Sequence, residues 1–154
     1  MNYAIDTHLH IYPFYSLHQA LTTLMDNLRK HDAQAIKVGC LTERYDCDVY
    51  RQLANDPGKA VTGAFDIQPS MSGHSLKITS RISGEVLHLL PGQQIITVEN
   101  LEVLSLNCPT RVEEGLPANQ TIRNVLQSGG VPVIAFGFGK WLGKRGKIVN
   151  QLID

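Results

Sequence analysis

Asp6, His8 and His10 occupy alternate positions of the run Asp6-Thr7-His8-Leu9-His10, directly after the apolar triplet Tyr3-Ala4-Ile5. Alternate side chains of an extended strand share one face, so two imidazoles and a carboxylate can meet at a single ion there. His8 and His10 are the candidate metal ligands. Asp6 is the candidate catalytic carboxylate, as a ligand or as the group that orients a ligating histidine. A divalent Zn, Mn or Fe ion, one or two in number, suits imidazole donors. The competing reading is a plain strand end whose three polar groups are solvated or hydrogen-bonded without an ion.

A second set of charges lies late in the chain. Lys140, Lys144 and Arg145 stand in the glycine-rich stretch from Gly137 to Gly146, where small residues let backbone N–H groups approach an anion. They are the candidate substrate-binding residues for a small anionic substrate, one carrying a phosphate or a carboxylate. A solvated turn ahead of a helix is the alternative, because the Walker A spacing is absent. His18, His31, His74 and His88 are scattered, and nothing in their spacing gathers them. No Ser-His-Asp order and no nucleophile elbow is present, so covalent catalysis has no support.

Such residues need elements that present them. Tyr3-Ala4-Ile5 reads as a buried strand delivering polar groups at its C-terminal end. Leu17, Ala20, Leu21, Leu24, Met25 and Leu28 recur at helical spacing, predicting an amphipathic helix over 16–30 with Ser16 near its start. Ala33 to Thr42 holds a second strand, and 48–55 a weaker helix. The middle is turn-rich, with short strands at 76–79, 85–90, 94–98 and 101–106 that read as hairpins. Ala118 to Gln127 is a helix stopped by Ser128-Gly129-Gly130, Val131 to Phe136 a strand, and 147–153 the start of a last helix.

Composition sets the class. The 154 residues are 43% hydrophobic and 18% charged, enough apolar material for one packed core and too balanced for disorder. Fourteen Lys plus Arg against fourteen Asp plus Glu leave a net charge of zero, so no global field draws the chain to nucleic acid or to an anionic membrane. No apolar run of membrane-spanning length occurs. Cys40, Cys47 and Cys108 are odd in number and widely spaced, which predicts reduced thiols and a cytoplasmic protein.

The opening strand with its H-x-H resembles the PHP superfamily, named for polymerase and histidinol phosphatase domains. Two more segments carry the resemblance: Gly39-Cys40-Leu41-Thr42-Glu43-Arg44, where the family has a strand ending in Thr-Asp-His, and Pro91-Gly92-Gln93-Gln94, similar to its Pro-Gly-x-Glu. The resemblance implies a metal-dependent hydrolase of phosphoesterase type working through a metal-activated water, with Glu43 as a further ligand or catalytic carboxylate. It departs from the pattern at Glu43, Arg44 and Gln94. A glutamine oxygen is a weak neutral donor and an arginine cannot ligate, so a three-metal cluster would lack charge. Glu99 or Glu102 are candidates to replace the charge missing at Gln94. The implied fold is α/β, a partial or distorted (βα) barrel of the PHP or TIM-like type with a β-hairpin-rich insert near 70–106. Residues 1–154 would form one domain lacking the C-terminal part of that barrel, with exposed edges that invite homo-oligomers. Two alternatives stand beside this: a noncatalytic binding domain that has lost its ligands, and an amidohydrolase-type enzyme, which shares the H-x-H opening.

Overall fold

The computed structural model describes residues 1–56, 63–137 and 141–153. Strand β1 (Tyr3–Leu9) lies parallel to β2 (Ile36–Leu41), with helix α1 (Leu17–His31) as the crossover. Leu21, Leu24, Met25 and Leu28 put one face of α1 into the core. Ser16 accepts the Gln19 N–H at 3.4 Å at its start, and Arg29, Lys30 and His31 sit at the negative end of its dipole. Helix α2 (Val49–Asn55) follows β2 and buries Val49 and Leu53 in the same core.

The chain then turns to hairpins: β3 (Phe65–Pro69), β4 (Leu76–Ser80), β5 (Val86–Leu90), β6 (Gly92–Ile96) and β7 (Glu102–Leu106). Helix α3 (Ala118–Gln127), strand β8 (Val131–Ile134) and helix α4 (Gly143–Ile153) complete the described elements. The strands form two sheets, in the orders β1-β2-β5-β4-β3 and β6-β7-β8.

This corrects the barrel expectation. Among the described residues the sheets do not close, and only β1–β2 and β2–β5 are parallel; the other four pairings are antiparallel. A parallel pair needs a long crossover, usually a helix, whereas the short turns between 65 and 106 permit only antiparallel neighbours. The hairpins are therefore not an insert in a barrel. They are the body of both sheets.

The two sheets share one long strand. Lys37 lies opposite Leu87 and Cys40 opposite Leu90, and Glu43 then bridges Gln93, so the register against β2 runs unbroken past Pro91 from β5 into β6. On its other side β4 pairs with the first half and β7 with the second. Gly92 makes the junction possible: a Cβ there would collide with the backbone oxygens of both Ser105 and Leu41.

Helices α1 and α2 cover one face of the larger sheet, packing on Ala4, Leu41, Ile78, Leu87 and Leu89. On the smaller sheet Val125 of α3 meets Ile95 and Val112, and Val149 of α4 meets Leu101 and Ala118. What matters for the site is where β1, β6 and β7 end.

Candidate functional site

The histidines are aimed by an irregularity in β1. Asp6 pairs with Gly39 but Leu9 pairs with Leu41, so β1 carries one extra residue between these points. The extra residue reverses the alternation of the strand. Leu9 packs against the α1 core, and His8 and His10 turn toward β6. Asp6 stays behind the bulge, where its Oδ1 accepts the His8 backbone N–H at 3.0 Å. The common face of Asp6, His8 and His10 expected for a regular strand is thus broken, and the histidines keep each other without the carboxylate.

His8 and His10 form an edge-on pair with ring centroids 4.9 Å apart. Gln94, on β6, places its Oε1 3.2 Å from His8 Nε2 and also hydrogen-bonds His10. His10 is further held by the backbone of Thr42 and feels the carboxylate of Glu102 at the start of β7. Burial, and then the neighbouring His8, hold His10 below the ordinary imidazole range, against the upward pull of Thr42, Glu102 and Gln94. Burial thus favours the neutral ring, the form in which an imidazole ligates a metal.

Glu43 is elsewhere engaged. Its Oε1 accepts the backbone N–H groups of Val49 (2.5 Å) and Tyr50 (3.1 Å), so the carboxylate caps α2, and Oε2 lies 3.9 Å from Arg111. Arg111 in turn donates to the carbonyls of Arg44, Tyr45 and Cys47. Burial raises the Glu43 pKa, opposed by the Tyr50 and Val49 N–H groups and by Arg111. Arg44 pairs with Asp46 at 3.5 Å. Glu99, weighed as a replacement charge, caps α3 by accepting the Ala118 N–H at 3.0 Å. Of the two candidate replacements Glu102 is the one at the histidines.

The basic candidates gather less clearly. Lys140 lies outside the described residues, with Phe138 and Gly139. Lys144 is exposed at the start of α4, and Arg145 donates to the Asn100 carbonyl in the β6–β7 turn at 3.5 Å. His74 is in an exposed turn, and His18 lies against Phe65.

Family models, curated proteins and solved structures give no match to the chain. The site therefore rests on its own geometry.

The donor set decides what it could hold. Among the described residues no three His, Cys, Asp or Glu side chains converge as a metal-binding group. The cluster does offer two imidazoles and the amide oxygen of Gln94. Ligand atoms about 2.0–2.2 Å from one tetrahedral ion stand about 3.3 Å apart, and the His8 Nε2 to Gln94 Oε1 separation is 3.2 Å. The bond from His10 to the Thr42 backbone is the support a ligating histidine commonly has. The residues fit one transition ion, held weakly by neutral donors, and do not fit a multi-metal cluster.

One feature of the site escaped the sequence reading. Aromatic rings continue the alternation of His8 and His10: His10 stacks on Tyr12 at 5.7 Å, Tyr12 on Phe14 at 5.5 Å, and Tyr15 closes edge-on against Phe14 at 4.8 Å. Rings at 8, 10, 12 and 14 carry that signal in the sequence, and Pro13, which favours a turn, interrupts the strand pattern between them.

Proposed function

We propose that this chain binds one divalent transition-metal ion through His8, His10 and the Gln94 oxygen and serves as a metal-dependent hydrolase domain of phosphoester type. The observation that carries the metal assignment is the 3.2 Å spacing of His8 Nε2 and Gln94 Oε1 beside a second, neutral imidazole. Glu102 contributes the negative charge that Gln94 lacks. An ion bound there supplies Lewis acidity and lowers the pKa of water toward neutrality. The chain's own part is positional: the bulge aims the two rings, Thr42 fixes the orientation of His10, and burial keeps that ring deprotonated. The phosphoester class rests on the resemblance of the first strand and the segments at 39–44 and 91–94 to PHP domains. Cys40, Cys47 and Cys108 are free and buried, which supports a reducing, cytoplasmic setting for this role.

Elemental analysis of the purified protein tests the reading, with the His8→Ala/His10→Ala double variant as control and a generic phosphoesterase assay after it. The expected result is nearly one equivalent of Zn, Mn or Fe that disappears in the double variant, with metal-dependent turnover. A folded wild type that stays metal-free in excess metal overturns it. The second reading, a noncatalytic binding domain, then takes its place; the engagement of Glu43 at α2 favours it.

A further inference from the structure

Beside His10 the structure opens a cavity of about 420 Å³ between β1 and α1, within the size range of small-molecule sites. Its aromatic end is a corner. Phe14 and Tyr15 stand at 84° to each other, and Phe14 is 78% exposed, an apolar face left in water. Such an exposed ring can stack on the flat side of a sugar or of a base, so the polar groups around it decide between them.

The polar wall is as specific. Gln19, Thr23 and Asn27 line the cavity at four-residue spacing on α1, so they form one stripe along the helix. The Asp6 carboxylate lines the opposite side. Amides and a carboxylate can each satisfy two neighbouring hydroxyls, and among the described residues no lysine or arginine lines this first hollow to attract an anion. Past Asp6 and Asn27 a second hollow of about 470 Å³ continues along the open edge of β1, and Lys30 and His31 line it. The wall without lysine or arginine is therefore that of the first hollow, which is large enough for one ring.

From this arrangement we infer that the first hollow of the β1–α1 cleft binds a neutral polyhydroxylated ring, a pyranose sugar, stacked on Phe14 and hydrogen-bonded by Gln19, Thr23, Asn27 and Asp6. Aromatic area supplies the binding energy and the amides orient the ring. The inference uses the cavity alone and stands whether or not His8 and His10 hold a metal.

Saturation-transfer NMR on the full chain in EDTA tests it, with methyl β-D-glucopyranoside, methyl α-D-mannopyranoside and cellobiose as probes and adenosine as the planar comparison. Transfer to the ring protons of at least one sugar is expected. Phe14→Ala and Asn27→Leu, both at exposed positions, should each weaken binding by about tenfold, with unchanged far-UV circular dichroism. Absence of transfer from every sugar at tens of millimolar overturns the inference. So does transfer undiminished in Phe14→Ala, or binding of adenosine in place of the sugars.

Discussion

Replacement of Glu43 separates a helix cap from a metal ligand. The side chain is buried and its Oε1 satisfies two N–H groups at the start of α2, where the preceding Asp48 makes no side-chain cap of its own. Glu43→Ala orphans both donors. Loss of a cap costs about 1–2 kcal/mol, and the buried methylene lost with it adds about 0.8 kcal/mol. Arg111 adds little, because it is 3.9 Å from the carboxylate and keeps three carbonyl acceptors. The sum, about 2–3 kcal/mol, corresponds to a fall of about 4–12 °C in Tm for a chain of this size. Glu43→Gln keeps an acceptor at the same place and removes a charge that burial already penalises. It should stay within about 1 kcal/mol of wild type. Urea unfolding followed by circular dichroism measures both variants, alongside metal content. Wild-type stability in Glu43→Ala contradicts the cap, and loss of bound metal at that unchanged stability makes Glu43 a ligand instead.

Gln94→Glu puts a carboxylate between the two imidazoles, and metal affinity measured by competition with a chelator should rise about tenfold or more, as expected when a charged donor replaces a neutral one; unchanged affinity removes Gln94 from the donor set. His10 has a lowered pKa in the folded chain, so its neutral form contributes stability above the ordinary value of 6.5 that is lost as the pH falls from there through the lowered folded value. Denaturation between pH 7.5 and 5 should show a stability slope of at most about 1.4 kcal/mol per unit from this group, absent in His10→Gln. Gly92→Ala forces a methyl onto the oxygens of Leu41 and Ser105 and should cost about 3 kcal/mol in thermal unfolding; a wild-type melt contradicts the three-strand junction.

The first third of the fold was legible because its signals are local. The apolar triplet at 3–5, the periodic stripe from Leu17 to Leu28 and the Ser16 cap each specify an element by themselves, and β1 and α1 form there. The triplet is not the buried strand expected of it: β1 lies at the edge of the larger sheet, with Tyr3 and Ile5 exposed and Ala4 alone buried. The short strands after Pro69 were legible too. Their partners were not. Whether β6 continues β5 alongside β2 or begins a new barrel strand depends on which edge is free when it arrives. That is decided by Pro91 and Gly92 and by the backbones of Leu41 and Ser105, which lie more than a dozen positions away in sequence. The bulge between Asp6 and Leu9 is invisible for the same reason, since it is a property of the pairing and not of either strand.

The same non-locality explains why two acidic residues weighed for the metal site serve helices instead. Neither α2 nor α3 carries its own cap: Asp48 makes no such bond, and the residue before α3 is Pro117, which has no side-chain acceptor. An uncapped helix start leaves backbone donors and a partial positive charge that draw any carboxylate within reach. Glu43 and Glu99 are within reach, one after β2 and one in the β6–β7 turn, and both are taken. The order of demand then fixes what remains for His8 and His10. Glu102 adjoins them from β7, and Gln94 bridges them with an oxygen that carries no charge. A site assembled from such leftovers binds weakly unless one position is strengthened, which is why the affinity of Gln94→Glu, more than the loss in a histidine double variant, measures how far this chain stands from a tight metal centre.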